Sequence, residues 1–236
     1  MTFRALTAIL LLAALAAACA PAATPTEPAV VEPPSVAPQP SEPSPVEPAA
    51  TDEAAAGTAT YTFITGETVA RFVIDEVLSG NPKTVIGVTN RVTGTMSFDL
   101  STPSQATLGQ VQVDLTSLET DSGFRNRAIR EAILQTGKDG NQFATFTATQ
   151  IEGLPETVTT GTSYELQITG DLTIMGTTRQ VTFDAVVTPV SADRIEGTAS
   201  LTVPYADFGV EIPFLPPQVA SVADIVRLEI DLAAAR

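Results

Sequence analysis

The chain has 236 residues, 44% hydrophobic and 6% aromatic, with 27 acidic side chains against 12 basic ones and a formal net charge of −15. That balance excludes recognition of a phosphate backbone, which runs on clustered Lys and Arg, so no nucleic acid partner is expected. With no histidine and one cysteine, the chain lacks the residues for Ser-His-Asp or Cys-His catalysis, for His-ligated metal and for an internal disulfide.

The first nineteen residues read MTFRALTAILLLAALAAAC. Arg4 precedes an apolar run from Ala8 to Ala18, roughly eleven residues and too short for a hydrocarbon core of about 30 Å, so residues 1–18 are predicted to be a secretion signal. The stretch LAAAC at 15–19 resembles the lipobox of bacterial lipoproteins, although Ala16 stands where that pattern usually has Leu. The resemblance implies a lipidated Cys19 as the mature N-terminus, with the membrane as a partner. The location would then be exported and lipid-anchored in the cell envelope, in the periplasm or at the outer cell surface. The alternative is an ordinary A-x-A cleavage site with Cys19 a free thiol. On a chain this acidic, any membrane contact is expected to come from the lipid.

Residues 19–57 hold Cys19 and then an acidic stretch with Pro recurring through Pro48 and no base. Such a composition does not bury enough apolar surface to offset chain entropy and is expected to stay extended. At about 3.1 Å per residue it would reach on the order of 100 Å.

From Thr60 the pattern changes to alternation. Phe72 and Ile74 alternate in TVARFVIDEVL, Val92, Gly94, Met96 and Phe98 in RVTGTMSFDL, and Val111, Val113 and Leu115 in GQVQVDLTSL. Ala144, Phe146 and Ala148 follow in FATFTAT, and then ITGDLTIMGTTRQVTF at 168–183 reads as a hairpin turning at Gly176. The last runs are RIEGTASLTV and IVRLEIDLA. Strands with one apolar face and short connections predict an all-β domain at 58–236: an antiparallel barrel or sandwich of about eight strands.

One segment departs from that period. DSGFRNRAIREAIL, 121–134, spaces Phe124, Ala128 or Ile129, Ala132 and Ile133 as a short amphipathic helix over one end of the barrel, with Asp121 or Ser122 as cap and Gly137 as stop. Phe124 and Ile133 are predicted to face in, and Arg125, Arg127 and Arg130 to face out. The segment 204–224, PYADFGVEIPFLPPQVASVAD, is too interrupted for a strand, and its Phe208, Ile212, Phe214 and Leu215 either line a mouth of the barrel or cap the core.

In order and spacing, TVARFVIDEVL, TVIGVTNRVTGTMSFD, VDLTSLETD with its Arg-rich helix, FATFTATQIEGLP, ITGDLTIMGTTRQVTF and YADFGV resemble the YceI-like family of exported lipid-binding barrels. The resemblance covers nearly all of 60–236. It implies a lipocalin-like antiparallel β-barrel with one short helix, holding a long isoprenoid or similar apolar lipid in its lumen. The family often has Arg-Asp after VDLTSLETD, whereas here Arg125 is followed by Asn126.

The side chains set to meet such a lipid are Phe72, Ile74, Met96, Phe98, Val113, Leu115, Phe124, Ile133, Phe146, Leu172, Ile174, Phe183, Phe208 and Phe214. Arg125, Arg127 and Arg130 form a basic cluster for a phosphate head or anionic lipid, or else a solvated face paired with Glu131 and nearby Asp. Gly94, Ala148, Gly170, Ala185, Gly197 and Ala199 fall on the inward parity; they either leave lumen for a guest or compensate for bulky neighbours in a filled core. Asp75 and Glu76 are adjacent on one strand and point to opposite faces, so they make no catalytic pair. The chain is therefore predicted to be no enzyme and to need no cofactor. The function expected is membrane-tethered lipid binding for transport or storage, the alternative being a structural or interaction module on a Pro-rich stalk.

Overall fold

The structure, a computed structural model, describes residues 57–99 and 101–236. The predicted signal, Cys19 and the linker as far as residue 56 lie outside the described residues.

The strands are β1 (Ala59–Phe63), β2 (Val69–Leu78), β3 (Asn81–Thr89), β4 (Val92–Thr93), β5 (Thr95–Phe98), β6 (Thr107–Leu108) and β7 (Val111–Asp114). After a helical segment come β8 (Phe143–Glu152), β9 (Tyr164–Ile174), β10 (Thr177–Ser191), β11 (Arg194–Pro204), β12 (Val219–Val222) and β13 (Ile225–Ala235). They form one antiparallel sheet in the order β4-β7-β8-β9-β10-β11-β13-β1-β5-β6, with β2 beside β13 and carrying β3 and β12. Because β4 and β5 are one extended segment interrupted at Gly94, with Val92 paired to Val113 and Thr95 to Thr62, the two ends of the path meet and the sheet curls into a barrel.

Several short strands share a stave, which reconciles the larger strand count with the eight expected. β1 and β2 run along β13 one after the other, Phe63 opposite Ala234 and Val69 opposite Asp231. Between them the hydroxyl of buried Thr68 donates to the Ala233 carbonyl at 2.8 Å. The hairpin at 168–183 is as the alternation predicts: Ile174 pairs Thr177 and Ile168 pairs Phe183. Met175 and Gly176 both adopt positive φ in its turn. A second hairpin, β2–β3, turns through Ser79 and Gly80, again both at positive φ. Alternation does not separate β3 in the sequence, because TVIGVT follows its turn as an almost unbroken apolar run.

One pole of the barrel is filled. Tyr61 stacks on Phe98 at 5.2 Å between ring centroids, and its hydroxyl donates to the Ala192 carbonyl at 2.8 Å; burial pushes that phenol up. Phe63, Val92, Ile195 and Ala234 complete this end. The small residues of the inward parity belong to close packing and not to free volume. A Cβ on Gly94 would lie 2.8 Å from the Phe63 ring, and one on Gly197 would lie 2.6 Å from the Val186 carbonyl oxygen. Ala185 is buried in the same way. None of the six borders the cavity described below, so of the two alternatives open for them, compensation for bulky neighbours is the one they serve.

Candidate functional site

The other half of the barrel is hollow. A cavity of about 640 Å³ opens at the pole where β2 ends, β13 begins and the 205–218 segment crosses. Its volume lies inside the roughly 300–1,000 Å³ usual for small-molecule and cofactor sites. Phe146, Leu172 and Phe183 are buried at its floor, Phe146 and Phe183 edge to face at 5.1 Å. Its walls carry Phe72 and Ile74 of β2, Val113 of β7, Leu115 just after it and Ile174 of β9. Phe72 lies over Gly87 of β3, where any side chain would displace the ring.

The helical segment forms one side of the mouth. Helix α1 (Gly123–Ala128) is capped by Ser122, whose hydroxyl accepts from the Arg125 amide at 3.4 Å. Asn126, the departure from the family's Arg-Asp, accepts from both the amide and the hydroxyl of Thr120 at 2.7 Å and fastens the helix to the strand-end loop. A π turn then runs over Ile129–Ile133, with the Leu134 amide donating to the Ile129 carbonyl at 2.8 Å. The helix therefore stops before Gly137, and the residue with positive φ is Gln135.

The predicted facing of this helix is reversed at two positions. Phe124 borders the cavity but is 92% exposed. Arg125 turns inward, its side chain 19% exposed, and its Nη2 donates to Oε1 of Glu76 at 2.7 Å. Glu76 follows Phe72 and Ile74 on the inner face of β2 with its side chain 7% exposed, so the pair joins the helix to the strand across the mouth. A carboxylate in an apolar wall needs such a partner, which explains the reversal: the guanidinium contributes more against Glu76 than in water. Asp75, one residue away, points outside and accepts from the Thr84 hydroxyl at 2.6 Å.

The basic cluster is internally matched. Arg125 also reaches Asp121, Lys83 reaches Asp121 at 2.6 Å, and Arg127 reaches Glu131 at 2.9 Å. Arg130 donates to the Leu118 carbonyl at 3.0 Å and does not border the cavity. Two other assigned side chains, Met96 and Phe98, also stand elsewhere, beside a second apolar space of about 90 Å³ at the filled pole. They lie on the inward face as alternation requires, but on the far side of the aromatic floor.

Lys83 first, and then the charge of Arg125, hold the Asp121 carboxyl below its ordinary value of 3.8. A depressed folded value means that this contribution is complete above 3.8 and is lost as pH falls through the lower folded value. The advantage of the native protein over Asp121→Asn in urea is therefore expected to stay constant at neutral pH and to shrink only below the ordinary aspartate value, as read by circular dichroism. Loss already near neutral pH would contradict the pairing.

The remaining assigned residues, Ile133, Phe208 and Phe214, border the cavity. Alternation missed Glu76 as a functional residue, and no periodic signal identifies it; the cue is a lone acid on the apolar parity of β2. Phe208 is fully buried behind Gly209, whose positive φ turns the chain from a 3₁₀ turn at Tyr205–Phe208 into the mouth segment.

Residues 61–234 match the model of the YceI-like domain family. The protein YceI of Escherichia coli O157:H7 is 37% identical over 93 residues, as is its counterpart from Shigella boydii serotype 4. The chain covers 43% of the length of these curated relatives, and the match uses 39% of this chain. Among solved structures, a polyisoprenoid binding domain from Saccharophagus degradans aligns with a TM-score of 0.56 at 18% identity, over 74% of this chain and 97% of that one. Burkholderia cenocepacia BcnA aligns with a TM-score of 0.55 at 19% identity, over 73% and 99%. At such identities the structural likeness establishes the fold, and the curled antiparallel sheet with one short helix among the described residues is that fold. The family match extends from β1 to the end of β13, so the chain belongs to the YceI-like domain family.

Proposed function

We propose that the domain holds one long apolar chain, of isoprenoid or fatty-acyl type, in its lumen for transport or storage. The protein is exported with residues 1–18 as signal and tethered to an envelope membrane through lipidated Cys19, residues 19–57 serving as spacer to the domain at 58–236. The single observation that carries the lipid reading is the apolar cavity of about 640 Å³, walled by Phe72, Ile74, Val113, Ile174 and Phe183. Its affinity is partition, about 0.8 kcal/mol for each methylene buried, and it needs no catalytic group. The naming of the Saccharophagus neighbour as a polyisoprenoid binding domain favours the isoprenoid member of that class.

The head of the ligand is uncharged. Arg125 is already shared between Glu76 and Asp121, and a phosphate there would add a further negative group beside two carboxylates. Native mass spectrometry of the protein isolated from its own envelope, followed by organic extraction, tests the reading. A stoichiometric apolar adduct is expected, and an N-terminal peptide beginning at acylated Cys19. A bare mass that persists after incubation with a long prenyl alcohol would leave the interaction-module alternative.

A further inference from the structure

The mouth carries apolar side chains that the cavity does not need. Phe124, Phe214 and Leu215 all border the opening, yet they are 92%, 64% and 40% exposed. Ile225, also exposed, begins β13 at this same end, opposite Pro204. Aromatic rings left in water around one opening make an apolar rim, and such rims mark a surface that meets something apolar.

The charges around the rim narrow what that is. Lys83, Arg125, Arg127, Glu76, Asp121 and Glu131 are tied up among themselves, which leaves Asp207, Glu211 and Asp224 as the acids of the segment that crosses this end. On a chain of net charge −15 the mouth is thus an aromatic ring that offers no free cation of its helical side, since Lys83, Arg125 and Arg127 are all paired. An anionic surface would be repelled by the rest of the molecule, and a basic protein partner would find its complement elsewhere on it. A zwitterionic bilayer fits both features, since its interface accepts Phe and Leu and asks for no net charge. The rim is also continuous with the lumen, so a chain leaving the bilayer there would enter the cavity without crossing water.

We infer that this rim, Phe124 with Phe214 and Leu215, docks on a zwitterionic lipid surface and that the lumen loads and unloads through it. The inference rests on the lipid-holding reading of the cavity. β1 enters the barrel at the filled pole, where Ala59 pairs with Phe98.

The chain has no tryptophan, which makes a single introduced indole an unambiguous reporter. Full-length Phe124→Trp, Phe214→Trp and, at the filled pole, Val190→Trp would each be mixed with phosphatidylcholine vesicles carrying brominated acyl chains. The expected result is strong quenching and a blue shift at positions 124 and 214, with Val190→Trp unchanged. Equal quenching at all three positions would mean that the N-terminal segment alone brings the protein to the vesicle, and no quenching at 124 and 214 would mean that the rim stays in water; either overturns the inference. A blue shift at 124 and 214 that needs no vesicles and rises with protein concentration would give the rim to a second copy and overturn it as well. Uptake of a prenyl alcohol, measured on the same samples, separates the two readings. An unquenched rim on a loaded protein removes only the docking, whereas a quenched rim on a protein that takes up nothing removes the lipid reading.

Discussion

Ile74→Trp combined with Ile174→Trp is expected to reduce the affinity for a prenyl alcohol by more than a hundredfold while leaving the fold intact. Both side chains border the hollow half of the barrel and neither is fully buried, so an indole has empty volume to enter. Excluding about four methylenes at ~0.8 kcal/mol each removes roughly 3 kcal/mol of binding. Filling a cavity does not impose the strain of overpacking a tight core. The contrast is Gly197→Leu, where the new side chain meets the Val186 carbonyl and the Val187 backbone away from the lumen. That variant is expected to lose about 1–3 kcal/mol of stability and to keep its ligand whenever folded. Native mass spectrometry gives occupancy and urea unfolding gives stability. A double Trp variant that still carries a full complement of lipid would show that the ligand sits elsewhere.

Arg125→Met is expected to destabilise the protein by about 3 kcal/mol, the low end of what breaking a buried ion pair costs. Glu76 would be left as an unpaired carboxylate in an apolar wall, and the helix would lose its tie to β2. Replacing both partners, Arg125→Met with Glu76→Leu, should recover most of the loss, because the desolvation of the carboxylate disappears with it. Urea denaturation of the two single variants and the double one closes the cycle. A cost near 0.5 kcal/mol, typical of an exposed pair, would show that Glu76 is solvated and that Arg125 does not latch the mouth. The pair also bears on release, since the helix it holds is one wall of the opening.

Much of the barrel was legible from alternation. The hairpin at 168–183 has the predicted pairing and turn, because side-chain period and turn chemistry are both local. β3 and β12 were less legible. β3 reads as an apolar run without clear alternation, and Val219–Val222 is a short strand that exists by pairing with the end of β2. The helix was visible at 121–134, but its π turn and early stop were not, since they follow from packing and from the backbone at Gln135.

The site divides in the same way. Phe72, Ile74, Val113, Leu115, Phe146, Leu172, Ile174 and Phe183 border the cavity as their parity suggested, and Phe208 and Phe214 as the mouth segment did. Met96 and Phe98 share that parity and lie in the other half. Parity tells which face a side chain takes and says nothing of its height along the barrel axis.

The sequence by itself determined the all-β class and the inner and outer faces of the long strands, because alternation and turn residues act over a few positions, and its motifs in their order carried the family resemblance. It also left no histidine for His-based chemistry, which depends only on which residues exist. Only the tertiary structure decided that one pole is filled and the other hollow, that the small inward residues serve close packing, and that Arg125 turns in toward Glu76 while Phe124 stays out. Those outcomes depend on which side chains from distant strands meet at one level. Volume and charge are balanced across the lumen there, between residues some fifty positions apart or more, and no local pattern along the chain records that balance.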